Sequence, residues 1–259
     1  MVPKRRLEGV LMAGHSHAAN IAVRKGKQDR LRAKVFSKLS KNIMIAARGG
    51  GDQNFNFALR HAVDLARAQS MPNDKIDHAI KKGAGLLEGV QLTEVAYEAY
   101  APGGIALLID VITDNANRTR PEINTLLEKG GGKFGAPNSV KWMFKHKGLI
   151  AVQCAGVDEE RLMELVLQSG AEDLLRSEDV FEIYTAVDTF EAVKQALTAA
   201  KIAVTLAELK YLADNEVEVD DATAKKVLDL IEKIDDHDDV NAVHSSIKIT
   251  AQVIALMKA

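Results

Sequence analysis

The hydrophobic period of the chain first changes near residue 90. Before that point apolar residues recur every three or four positions, the spacing of amphipathic helices. Over Arg30–Arg48, Phe36, Leu39, Ile43 and Ala47 share one face, and Lys34, Lys38, Lys41 and Arg48 share the opposite one. Gly49-Gly50-Gly51 ends this helix. A second helix is predicted over Asn54–Ser70, with Phe57, Leu59, Ala62, Val63 and Ala66 inward. A third opens at Pro72 and stops at Gly83, burying Ile76, Ala79 and Ile80. Together they make a small all-α domain with a basic side. Residues 1–11 have no period and read as a disordered extension. Residues 12–28, interrupted by Gly14, Ser16, Asn20 and Gly26, read as an extended or loosely helical arm.

From Thr93 the period becomes two. Val95, Tyr97 and Ala99 alternate with polar residues, Ala101-Pro102-Gly103-Gly104 turns the chain, and Ile105–Val111 is an apolar run, which predicts a hairpin into a buried strand. Asp114–Arg120 supplies helix-cap chemistry and Pro121–Lys129 is a helix with Ile123, Leu126 and Leu127 inward. The next elements are strands Val140–Phe144 and Leu149–Gln153, helix Glu159–Gln168, strands Asp173–Arg176 and Phe181–Thr185, and helix Phe190–Ala199. Strand Ala203–Leu209, helix Ala222–Ile234 and strand Val243–Thr250 close the pattern. The fold class expected is α+β, a three-helix domain followed by two ferredoxin-like α+β domains, one inserted in the other. The expected boundaries are 12–88 for the helical domain, 89–133 with 203–259 for the interrupted domain, and 134–202 for the insertion.

Charge changes this picture more than composition does. The net charge is −2, yet residues 1–48 hold twelve Lys/Arg and two acids, a local +10, and the rest of the chain carries −12. A basic end on an acidic body points to a polyanion partner at that end. The candidate contacts are His15, His17, Asn20, Arg24, Lys25, Lys27 and Arg30 on the arm and its junction, then Arg32, Lys34, Lys38 and Lys41 on the helix. Cations on an arm beside a lysine-faced helix can follow a phosphate backbone and gain affinity by counterion release. No zinc-finger spacing, zipper or RNP aromatic pair specifies bases, and Gly49–Asn56 is too long and glycine-rich for a helix-turn-helix. Backbone or shape recognition is expected, which suits structured RNA better than an operator.

Other chemistry is sparse. His15 and His17 stand two apart with no Cys or further His near them, so no metal is expected, and no cofactor either. The Gly130–Lys133 run follows a helix and lacks the spacing of a phosphate loop. Asp114, Asn115, Asn117, Arg118 and Thr119 read as a helix cap, with Arg118 a secondary contact. His237 among Asp235, Asp236, Asp238 and Asp239 could bind a cation weakly, but a solvated acidic loop is the default reading. The single Cys154, in an apolar setting, reads as a buried, inert thiol in a reducing compartment. No export signal or membrane-length apolar run is read, so a cytoplasmic protein with no membrane partner is expected. No nucleophile triad or carboxylate pair suggests an enzyme. The pattern fixes no oligomeric state; a monomer is favoured.

The run from Met12 to Leu39, MAGHSHAANIAVRKGKQDRLRAKVFSKL, resembles the opening of the YebC family, bacterial relatives of the mitochondrial translational activator of cytochrome c oxidase. GGGD at 49–52, SMP at 70–72, YEAYAPGG at 97–104, TDNANRT at 113–119 and SVKWMFKHKG at 139–148 extend the resemblance over nearly everything after Met12. It implies the same three-domain plan and no established enzymatic activity. It also implies one of two roles, a DNA-binding transcriptional regulator or a translation factor working on rRNA and tRNA at the ribosome, of which the second is preferred here. The chain departs from the family where Lys-Trp usually follows the opening Ser. Here His17 and Ala18 stand in that place, removing an aromatic that could stack on a base.

Overall fold

The computed structural model describes residues 32–250, apart from 90, 178 and 249, together with Val253. Contacts divide the chain into two compact units. One takes the described residues up to Trp142 with Lys226–Ser245, and the other takes Met143–Lys225 with the described residues from Ser246 on.

The first unit opens with three helices, α1 (Arg32–Ala47), α2 (Phe57–Ala68) and α3 (Asn73–Gly83). Their apolar stripes meet in one core of Ile43, Ala47, Leu59, Val63, Ala66 and Ile76 with their neighbours, and Phe36 and Leu39 pack against it. Asn56 joins the first two helices. Its Oδ1 accepts the Leu59 N–H at 3.0 Å and its amide donates to the carbonyls of Ala46 and Gly50, which satisfies orphan groups at both helix ends. At Gly83 a Cβ would collide with the Met44 carbonyl, so glycine sets the close approach of α3 to α1.

The same unit holds a sheet of order β3-β1-β2-β8, built from β1 (Thr93–Tyr100), β2 (Ala106–Thr113), β3 (Lys133–Phe134) and β8 (Val240–Ser245). Every pairing is antiparallel, with Tyr97 opposite Ile109 and Ile109 opposite Val243. Helices α4 (Ala116–Lys129) and α7 (Asp221–Asp235) bury Ile123, Leu127, Val227, Leu230 and Ile234. The start expected for α4 is corrected: it begins five residues before Pro121, because Asn115 Oδ1 accepts the Arg118 N–H at 3.2 Å and caps the helix there.

The second unit is a βαββαβ sheet, β4 (Phe144–Gln153), α5 (Glu159–Gln168), β5 (Ala171–Ser177), β6 (Val180–Thr185), α6 (Phe190–Ala199) and β7 (Val204–Ala213). Its order β5-β6-β4-β7 sets the first strand between the third and fourth, the ferredoxin-like arrangement. Two expectations change here. The separate strands at 140–144 and 149–153 become one strand, β4, after a 3₁₀ turn at Lys141–Met143; Lys145 and His146 are exposed on it and Gly148 lies against Phe190 and Thr185. The strand expected at 203–209 leaves the interrupted domain, because β7 pairs with β4 from Phe144↔Ala213 to Val152↔Val204. The interrupted sheet regains only α7 and β8 from the C-terminal part.

Candidate nucleic-acid interface

Of the sequence-derived contacts, His15, His17, Asn20, Arg24, Lys25, Lys27 and Arg30 lie outside the described residues, and Arg32 is described only as the first residue of α1. Lys34, Lys38 and Lys41 are described fully. Their i, i+4, i+7 spacing puts them on one side of α1, as the pattern predicts. That side does not look only into solvent. All three lysines are half-buried and meet the end of α7 and the acidic loop after it.

Lys34 Nζ donates to the Asp236 carbonyl at 3.0 Å. Lys38 Nζ donates to the Asp235 carbonyl at 2.7 Å and to Asp235 Oδ1 at 3.2 Å. Lys41 Nζ donates to the carbonyls of Ile112 and Asp238 and to Asp239 Oδ1, the last two at 2.9 Å. The cause is local to α7. The last carbonyls of a helix have no intrahelical donor and carry the negative end of its dipole, and here four aspartates add to that charge. Cations must meet such an end, and α1 provides them. Arg48 extends the docking by donating to the Leu92 carbonyl. The helix that packs the three-helix core by one face therefore fastens that core to the α+β sheet by the other.

Asp239 is the node. Its side chain is only 8% exposed. Oδ1 accepts from Lys41, and Oδ2 accepts from Arg118 Nη2 at 2.7 Å, Thr119 Oγ1 at 2.8 Å and Thr113 Oγ1 at 3.1 Å. Burial opposes ionisation, but the hydrogen bonds from Lys41, Arg118 and Thr119 outweigh it and hold the Asp239 carboxyl far below the usual carboxylate range. Arg118 also pairs with Asp114 at 3.0 Å, and its own pKa rises chiefly through the bond to Asp239. His237 accepts the Asp239 N–H on Nδ1 at 3.1 Å, which leaves Nε2 as the ring donor to Glu122 Oε2 at 2.9 Å in the neutral tautomer. An open cleft of about 1020 Å³ runs beside this cluster, lined by Ser37, Lys82, Asp114, Arg118, Glu122 and Asp236 among others.

The expectation of a solvated acidic loop is thus corrected. The loop is a ligand for the lysines, and Arg118 is a member of the cluster rather than a free secondary contact. A signal for it was present: acids crowded at a helix C-terminus are electrostatically misplaced unless cations come from elsewhere. Cys154 is half-buried rather than buried, and desolvation raises its thiol pKa, with Arg176 acting in the opposite direction. Among the described residues no cluster of His, Cys, Asp or Glu could hold a metal ion, and no helix is long and apolar enough to cross a membrane.

Two family models match the chain. One, for the TACO1/YebC protein N-terminal domain, covers residues 16–86, and the other, for the TACO1/YebC second and third domain, covers 92–247. A protein of Maridesulfovibrio salexigens named a probable transcriptional regulatory protein is 44% identical over 95% of this chain and 100% of its own length. A like-named protein of Carboxydothermus hydrogenoformans is 46% identical over 92% of this chain and 99% of its own. The crystal structure of a conserved hypothetical protein from Aquifex aeolicus is similar at a TM-score of 0.75 and 40% identity, covering 83% of this chain and 90% of that one.

Proposed function

Because the chain belongs to the TACO1/YebC family, we propose that it is a nucleic-acid-binding regulator of gene expression, acting in the cytoplasm as an RNA- or ribosome-associated translation factor. The observation that carries this reading is the +10 charge of the first 48 residues on a chain of net −2. Such a segment binds phosphate backbones by counterion release whatever the base sequence, and the absence of any base-reading motif favours structured RNA as the target.

The geometry of α1 adds a condition. The oxygens that hold Lys34, Lys38 and Lys41 are carbonyls and carboxylates, the same hard, negatively polarised acceptors that a phosphate offers. A polyanion reaching this face competes with the Asp235–Asp239 loop. The arm, from His15 through Arg30, makes the first contact, and the α1 lysines join as the loop releases them.

A DNA-binding transcriptional regulator is the second reading, favoured by the names of the relatives. Co-sedimentation with ribosomes on sucrose gradients, beside footprinting on promoter DNA at physiological salt, separates the two. Ribosome association without a sequence-specific footprint is the expected result. A specific footprint with no ribosome association would overturn the translational reading.

A further inference from the structure

The only tryptophan of the chain is Trp142, and it is 69% exposed. It stands at the end of a loop that the fold holds with several bonds. Glu98 Oε1 accepts the Asn138 N–H at 2.6 Å, and Oε2 accepts those of Val140 and Lys141 at 2.6 and 2.7 Å. Burial works against the Glu98 charge, but the three backbone donors prevail and keep its pKa below the ordinary value. Tyr100 OH and Trp142 Nε1 both donate to the Ser139 carbonyl at 3.1 Å, and Val140 is fully buried beneath the loop. The indole is therefore tethered by its one polar atom, and what it shows to water is π surface.

An exposed indole could give its N–H to water instead, and a freely mobile one would lose more rotamer entropy on binding. The exposed area together with the fixed orientation marks a contact surface, since aromatic anchors held in advance are what recognition sites use. The charge around it selects the partner. Lys133 and Lys141 are both exposed, Lys133 pairs across the strand from Tyr100, and no acid occurs from Lys133 to Trp142. The Glu98 carboxylate that holds the loop is already occupied by backbone N–H groups. With its N–H committed, the ring cannot read a partner by hydrogen bonding and can only stack. A planar π system carrying an anionic backbone meets those conditions, whereas an apolar protein pocket would make no use of the lysines.

We propose that Trp142 is a stacking platform for an unpaired base of single-stranded or looped RNA, with Lys133 and Lys141 meeting the adjoining phosphates. This rests on the nucleic-acid-binding reading above. It also supplies, from a different part of the chain, an aromatic contact of the kind the His17-Ala18 departure removes from the arm.

Because Trp142 is the sole indole, its fluorescence reports on itself. The full chain is titrated with a short unstructured oligouridylate and, in parallel, with an oligoadenylate, reading the anisotropy of a dye on the RNA and the tryptophan emission excited where bases do not absorb. The expected result is quenching of Trp142 that saturates together with the anisotropy. Trp142→Ala should weaken binding by roughly 5- to 150-fold, the range for loss of one base–aromatic stack, and Trp142→Phe should recover part of it. Circular dichroism of both variants checks that they fold, and the wild-type quenching stands without either. Binding with unchanged emission, or equal affinity of Trp142→Ala, would overturn the platform while leaving the proposed function intact. If neither RNA, ribosomes nor DNA binds the wild-type chain at all, the proposed function falls and the platform with it.

Discussion

Replacing Asp239 with asparagine tests the electrostatic node directly. At pH 7 the carboxylate accepts from Lys41, Arg118, Thr113 and Thr119, and its side chain is 8% exposed. Asparagine keeps one acceptor oxygen and turns an NH2 donor toward one of the two cations. Arg118 is 47% exposed, so water replaces its lost bond and no energy is credited to it. Lys41 is 18% exposed and keeps its two carbonyl acceptors but loses its counter-charge. With the NH2 turned to Lys41, loss of one hydrogen bond between charged groups costs about 1.5–3 kcal/mol; turned the other way it misdirects the Thr113 and Thr119 hydroxyls instead, so the two losses are not summed. The sign of the pH dependence follows from the depressed pKa. Asp239 stabilises the native state fully above the unfolded-state value near ~3.9, and that contribution falls by about 1.4 kcal/mol per pH unit below it, down to the folded-state pKa. Asp239→Asn has no such dependence, so its deficit should be largest at pH 7 and shrink at pH 3. Urea unfolding followed by amide exchange at α1 and α7, at both pH values, measures this. A deficit below about 0.5 kcal/mol at pH 7, within the range of a surface change, or one that stays constant between the two pH values, would refute the node.

Three further outcomes are expected. Arg24→Ala/Lys25→Ala should weaken RNA binding and lower the magnitude of its salt slope by about 1.4 on single strands, whereas Lys34→Ala/Lys38→Ala should lower it less because those lysines already have protein partners; anisotropy titrations from low to physiological salt compare them. Neutralising the loop with Asp235→Asn/Asp236→Asn/Asp238→Asn should tighten RNA binding several-fold at low salt by removing three charges that repel the RNA and the carboxylate contact of Asp235 on Lys38, while the backbone carbonyls keep their lysines; equal affinity would show that the charge of the loop does not oppose RNA. In the second unit Gly148→Ala should lower the melting temperature, since a Cβ there runs into the Phe190 ring and Thr185 Oγ1; overpacking of this kind costs about 1–3 kcal/mol, and calorimetry reads the shift.

The chain by itself determined most of the elements and the charge asymmetry along them. The helical stripes of α1 to α3, the alternation over Val95, Tyr97 and Ala99 and the +10 segment are written in residue order, because burying an apolar stripe and repelling like charge need no knowledge of distant neighbours. The cap at Asn115 and the stop at Gly83 are local in the same sense. Tertiary structure decided the rest. An alternating strand pattern does not name its neighbour, so β7 could be placed beside β4 only by their shared register. A lysine face is satisfied equally by water, by phosphate or by helix-end carbonyls, and the choice falls to residues 197 positions away at Asp235. Exposure is decided in the same way. Nothing in SVKWMFK says that Trp142 faces water, since its place depends on Glu98 and Tyr100 in another strand. Periodicity records which side of an element is apolar, and only the folded chain records what meets its polar side.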